Sequence, residues 1–370
     1  MRTLILTLLA ATLAAGQSTP RWRVVYEYDQ DDTRFSITDF AAPPPVNNES
    51  LVIAVGDLWS RQRGRPVAQA VVSRNDGKTW ETLKLPGNPT SVFFLTPRLG
   101  WFNTGGNIYQ TSDGARTWTR LSRLNGALRL HFFDEGLGFA VGLEKSAWRT
   151  IDGGRKWTPI KEAAEPSTKK ETSAYTVISF RNEKVGVMVG TSVPVPRGPQ
   201  VPRWIDPDST SASSRQLPRI TMTLATADGG QTWKTSSASI FGQITQWAQS
   251  PATAEALTLV EFQDGFTYPS EVHRWTAGKL ERTFREKDRA VKDVAIDSLG
   301  RGWLAAVEIP GSLNALPIPG KVKMLQSLDL KSWAEVPVDY RAYAMRLLLD
   351  VRNSVNPWVA TDTGQILRLQ

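Results

Sequence analysis

The chain has 370 residues, 22% of them charged, with 44 Lys and Arg against 36 Asp and Glu for a net charge of +8, two histidines and no cysteine. The absence of cysteine excludes disulfides, thiol catalysis, cysteine-ligated metals and a lipid-modified N-terminal cysteine. His131 and His273 lie far apart in sequence and do not make the usual three-residue metal set without carboxylate help. The basic balance favours an anionic partner such as an acidic glycan, an envelope phosphate or an acidic protein face.

Residues 1–16 read as a secretory signal peptide, with Arg2 as the positive start, an apolar run over 4–15 and the small residues Ala14, Ala15 and Gly16 as the cleavage site. That run is too short for an ordinary membrane span, and no other stretch of the sequence approaches one. A mature chain from Gln17, acting in the periplasm or beyond the cell, is expected, and export without disulfides points to a bacterial source. Asp29, Asp31 and Asp32 lack an ordered ligand spacing and read as a solvated turn rather than a calcium site.

One motif then recurs four times, as SRNDGKTW at 73–80, TSDGARTW at 111–118, TIDGGRKW at 150–157 and TADGGQTW at 226–233, and a copy one residue short, SLDLKSW, stands at 327–333. Each reads as a hairpin turn. Ser or Thr ends a strand, Asp (Asn75 in the first copy) accepts backbone N–H bonds across the turn, Gly supplies the permissive φ, and Trp opens the next strand. The repeated Trp is expected in the core, as are Trp101, Phe139, Trp303 and Trp358, which recur at the start of second strands. Around each turn the same grammar returns: an alternating apolar strand, a second strand often opened by Gly and an aromatic, a third strand, the turn and a fourth strand.

This grammar places repeating units at 33–84, 91–122, 127–161, 174–236, 243–284, 290–336 and 341–370. The fifth is the weakest, because 273–278 keeps the turn glycine but has no Asp, so six units are the alternative. The last stops after its third strand, and residues 22–28 at the other end of the chain supply the missing one. That join closes a ring and removes both sheet edges. The fold class expected is all-β: a seven-bladed β-propeller of four-stranded antiparallel blades, in one domain over 17–370, with the N-terminal strand closing the last blade.

The motif resembles the Asp-box, or BNR repeat, of consensus Ser/Thr-x-Asp-x-Gly-x-Thr-Trp, and the pattern covers nearly the whole mature chain. The resemblance implies a propeller with the motif between the third and fourth strands of a blade. That family spans sialidases, xyloglucanases, sortilin-type receptors and photosystem II assembly-factor-like proteins, so it implies a fold and not a reaction. In size and single-propeller layout the chain is most similar to the last of these, which implies a seven-bladed scaffold holding a partner protein on a basic face.

Function is sought where the repeats are interrupted. Insertions at 56–66, 191–218 and 309–320 all fall between second and third strands, on the face opposite the Asp-Gly turns. The first carries Trp59, Arg61, Arg63 and Arg65, and the second Arg197, Arg203 and Trp204. Arg beside Trp suits planar or anionic partners. The plainer reading tucks Trp59 and Trp204 into the propeller and leaves the arginines as solubilising charge. A sialidase resemblance implies an Arg-Ile-Pro segment near the start, whereas Arg219-Ile220-Thr221 lies late and lacks the Pro. Xyloglucanase-like enzymes use two propellers facing a cleft, and only one fits here. No carboxylate pair, Asp206 and Asp208 included, stands out for glycoside hydrolysis. The expectation is a secreted, monomeric, non-enzymatic binding or assembly propeller that holds a protein or anionic envelope glycan on its insertion-bearing face, with no cofactor, metal or catalytic residue assigned. Scattered charge without a recognition signature argues against nucleic acid. A carbohydrate-active enzyme is the alternative.

Overall fold

The computed structural model describes residues 19–62, 64–193, 218–262, 268–276, 278–309 and 320–370. They form seven four-stranded antiparallel sheets. Six are built from consecutive strands within 33–84, 91–123, 127–159, 173–240, 243–284 and 289–336. The seventh joins Leu347–Asp350, Trp358–Thr361 and Gln365–Leu369 to the N-terminal strand Trp22–Glu27, which is its outermost member. The fifth unit is a complete blade, which sets aside the six-bladed alternative.

The order of strands within a blade follows their burial. Second strands such as Val52–Ser60 and Gly138–Gly142 are apolar without alternation and packed on both faces. Fourth strands such as Glu81–Lys84 and Thr119–Arg123 are polar and largely exposed. The polar strands therefore form the rim. The first strand of each blade contacts the first strand of the next, from blade one round to blade seven and back to blade one, so these strands enclose a central channel.

The Gly-aromatic grammar has a steric cause. Gly100, Gly138 and Gly186 open second strands directly opposite Phe94, Phe132 and Phe180. A Cβ at these glycines would come within 2.6, 2.4 and 2.0 Å of the facing ring, so each phenylalanine lies flat over bare backbone.

Four of the five turns share one hydrogen-bond scheme, with Asn75 in the place of Asp in the first, whereas in the short fifth copy the Lys331 and Ser332 N–H groups both go to Asp329 Oδ1. Ser73, Thr111, Thr150, Thr226 and Ser327 each end a third strand. In the second copy the Thr111 hydroxyl accepts the Ala115 N–H at 3.0 Å, and Asp113 Oδ1 accepts the Thr111 hydroxyl at 2.8 Å and the Thr117 N–H at 2.9 Å. These bonds to the charged form hold Asp113 and Asp228 down at about 2, against the opposing effect of desolvation. The side-chain acceptors of the motif are thus engaged by their own turn, while a turn carbonyl such as Gly114 O is left for the neighbouring blade and accepts Arg74 Nη1.

Blades adhere through aromatics on their second strands. Trp101, Phe139, Trp303 and Trp358 are all fully buried. Trp101 of blade two stacks on Phe132 of blade three at 3.8 Å and donates from Nε1 to Gly153 O in the turn of blade three at 2.9 Å. Trp303 of blade six meets Trp22 of blade seven edge-on at 5.8 Å. The Trp of the repeated turn departs from expectation. Trp233 is only 8% exposed, but Trp80, Trp118, Trp157 and Trp333 are partly buried, because the fourth strand they open lies at the rim. Trp118 covers Phe102 edge-on at 4.7 Å and keeps one side in solvent.

These positions rank the tryptophans. Trp22→Ala, which empties the contact at the ring closure, is expected to cost about 3–5 kcal/mol, whereas Trp118→Ala costs about 1–3 kcal/mol. Urea titration of the two variants checks the order, and equal losses would contradict the rim placement of the turn Trp.

Candidate functional site

In an antiparallel blade the connections between second and third strands, and those running from one blade to the next, emerge on one face, opposite the Asp turns. The first insertion is shorter than expected. Residues 56–60 continue the second strand of blade one and Val67 begins the third, so the turn spans only 61–66. The strand simply runs on past Gly56, with the apolar Leu58 and Trp59 in its last residues. In the second insertion Thr191 and Ser192 likewise belong to a strand. Arg63, Arg197, Arg203 and Trp204 lie outside the described residues, as does most of 309–320.

Trp59 does not tuck into the propeller: it is 50% exposed at the end of its strand, opposite Arg34 in the register with the first strand of the blade. Arg61 reaches Asp32 across the neighbouring connection at 3.5 Å, with both side chains largely in solvent, and Arg65 is exposed beside them. The exposed aromatics among the described residues fall on this same face, where Tyr340 (84%) and Tyr343 (45%) stand on the link from blade six to blade seven and Phe241 (55%) on that from four to five. The Asp-turn face shows isolated aliphatics instead, such as Ile151, Leu328 and Val355.

The second feature, whose lining residues were not singled out from the sequence, is a central channel enclosing about 430 Å³. Five first strands carry a bulge immediately before the same register position, which puts Asp39, Arg129, Val177, Gln246 and Asp293 at one level of the ring. Asp39 and Asp293 are each 7% exposed. Asp39 Oδ2 accepts the Val92 N–H of blade two at 2.8 Å, Asp293 Oδ2 accepts the Leu349 N–H of blade seven at 2.8 Å, and Asp350 Oδ2 accepts the Ala42 N–H of blade one at 2.8 Å. Carboxylates therefore bridge three blade interfaces around the ring closure. Arg129 Nη1 stands 3.9 Å from Asp39 Oδ1. Below this level His131 sits among Phe93, Phe133 and Phe180, with ring centroids at 5.2, 4.8 and 5.3 Å. Burial, with the charge of Arg352 adding to it, brings His131 down to about 3 and keeps it neutral.

Burial raises Asp293 to about 7, its neighbour Asp39 adds to the rise, and the Leu349 and Val294 amides and Arg129 oppose it. Asp39 is raised as well, again chiefly by burial. A carboxyl near 7 is poised for acid–base work, but Asp293 accepts a backbone N–H on each oxygen, at 2.8 Å in both cases, which makes it a clamp between strands. The available signal was a single Asp inside an apolar first strand, as in ITDF at 37–40 and VKDV at 291–294.

No protein-family model matches the chain, and no curated protein matches it in sequence. Solved structures that share its fold include YCF48 bound to D1 peptide (15% identity, TM-score 0.57, over 92% of this chain and 96% of that one) and YCF48 from Cyanidioschyzon merolae (15%, 0.56, 94% and 98%). The GH74 xyloglucanase from Xanthomonas campestris is also similar (12%, 0.59), over 94% of this chain but 53% of its own length. At such identities the likeness is one of fold.

The raised Asp293 sets a pH dependence. In the unfolded chain it loses its proton near 3.8 and in the folded chain only at about 7. Its contribution to stability therefore falls as pH rises between those values. The lowered carboxylates Asp113 and Asp228 titrate below this window. Urea midpoints at about pH 5 and pH 7.5 are expected to differ less in Asp293→Asn than in the wild type, and an unchanged difference would show that Asp293 does not carry the slope.

Proposed function

We propose that the protein is a non-enzymatic binding or assembly propeller of the Asp-box type, exported from the cytoplasm, that holds a protein or anionic envelope polymer on the face bearing the connections between second and third strands. The observation that carries this reading is the exposure of Trp59, Tyr340 and Tyr343 on that face, with Arg34, Arg61 and Arg65 near Trp59. Aromatic and Arg side chains are the residues enriched where one protein surface meets another, and bare aromatics are unfavourable unless something covers them. Arg197, Arg203 and Trp204 belong to the connection between second and third strands of blade four and would add the same chemistry. A structure of similar fold has been solved with a bound peptide, YCF48 bound to D1 peptide, which supports peptide or protein capture as a use of this architecture.

The experiment is affinity capture from an envelope extract with three baits: the wild type, a Trp59→Ala/Arg61→Ala double variant and an Ile151→Ala/Leu328→Ala variant on the opposite face. Retention is expected to drop about tenfold or more for the first pair and to hold for the second, since loss of an aromatic anchor and an Arg costs at least 1–2 kcal/mol. Equal retention by all three would remove the assignment of the face. Shortening of a bound glycan by the wild type would favour a carbohydrate-active enzyme instead.

A further inference from the structure

The central channel is a second candidate site, separate from the partner-bearing face, so either reading can fail without the other. Its volume, about 430 Å³, is within the range of small-ligand pockets, roughly 300–1,000 Å³. Its chemistry is specific. The bulges bring a guanidinium (Arg129), a carboxamide (Gln246) and two carboxyls (Asp39 and Asp293) to one level, and all four side chains line the cavity. Two of these groups have spare bonding capacity. Among the described residues Arg129 makes no hydrogen bond, standing 3.9 Å from Asp39 and acting on Asp293 through its charge, and the Gln246 amide has no hydrogen-bond partner. Asp39 gives Oδ2 to a neighbouring blade's N–H, Asp293 accepts one N–H on each oxygen, and the oxygens of both retain further lone pairs.

Charge decides which ligand fits. A simple anion at Arg129 would face Asp39 and Asp293, and a simple cation between the carboxyls would face Arg129. A neutral sugar would leave the guanidinium with Asp39 alone, at 3.9 Å and too far for a hydrogen bond. A molecule carrying one positive and one negative group a few bonds apart satisfies both sides. The wall just below is aromatic, formed by Phe93, His131 and Phe180, with His131 neutral, and so suits an apolar substituent.

We propose that the channel binds a small zwitterion, a free α-amino acid with an apolar side chain. Its carboxylate pairs with the Arg129 guanidinium and accepts from the Gln246 amide, its ammonium donates to Asp39 and Asp293, and its side chain rests on the Phe93, His131 and Phe180 rings.

The test is calorimetric titration of the full chain with leucine and phenylalanine, and with leucinamide and 4-methylpentanoate, which lack the carboxylate and the ammonium in turn. Saturable binding of the amino acids is expected, with each one-charge analogue weaker by about tenfold or more, the effect of removing a charge-assisted hydrogen bond. Arg129→Gln is expected to weaken leucine by a similar factor and, because it removes the charge that opposes a cation, to leave leucinamide as tight or tighter, so that the two ligands converge. A merely structural arginine would weaken both alike. If Arg129→Gln does not fold, Gln246→Ala and the analogue series on the wild type still decide. No saturable heat from any of the twenty amino acids at millimolar concentration, or equal affinity for leucine and both analogues, overturns the proposal.

Discussion

A large aromatic ring held between one blade and the next is the contact on which this propeller depends. A four-stranded sheet of this size has two faces to cover and no means of covering them alone, so each blade borrows its neighbour's surface. Trp101 lies between blades two and three, Phe139 between three and four, where it meets Trp233 edge-on at 5.9 Å, and Trp303 between six and seven. Trp358 of blade seven lies beneath the turn of blade one, so close that a Cβ on Gly77 would stand 2.9 Å from its ring. Because the last blade needs the same treatment as the others, the ring has to close. Trp22 at the far end of the chain supplies for blade seven what Trp233 supplies for blade four.

Closure by hydrophobic packing at the blade faces leaves the channel to be solved by other means. First strands turn an unpaired edge toward the axis, and an N–H group there needs an acceptor. Asp39, Asp293 and Asp350 provide one across the interfaces of blades one and two, six and seven, and seven and one. The acids thus gather around the interfaces where the two chain ends meet. Their burial has an energetic consequence visible in the raised titration of Asp39 and Asp293, since desolvation disfavours the charge that a carboxylate would carry in water. Polar groups whose cost is already met by the scaffold are free to serve a ligand as well.

Legibility in the sequence divides along the same line. Strand ends, blade boundaries and the closing strand were readable because turn chemistry and apolar period speak locally: Ser73, Thr111, Thr150, Thr226 and Ser327 all end their strands as the motif requires. The extent of burial was not readable, since Trp118 and Trp101 are the same residue type in the same blade and only radial position separates a half-covered ring from a buried one. The extension of a strand through 56–60 was missed because Gly56 and Asp57 read as the start of a turn, although the strand continues through them. The lining of the channel was unreadable for a different reason. A bulge displaces five of the first strands by one residue, and no local pattern announces which blades carry one, so Asp39, Arg129 and Asp293 could not be placed on a common level beforehand. For Trp59 the sequence left exposure and a tucked position open, and only the structure decided between them.

The two faces of the ring differ in how much freedom they leave to sequence. On the Asp-turn face, each turn consumes its hydroxyl and carboxylate acceptors in holding its own backbone, and its glycines touch the neighbouring blade, as Gly230 does beneath Phe139. Few substitutions or insertions fit there without opening an interface. The connections on the opposite face differ in length: in blade three the second and third strands are joined by residues 143–145 alone, whereas in blade four the link runs from 193 to 218. Length can grow on that face at little cost to the ring, because loop closure becomes only slowly more expensive with added residues. A partner-binding surface is therefore free to develop on the face where Trp59, Tyr340 and Tyr343 stand exposed, while the fold is maintained from the other side.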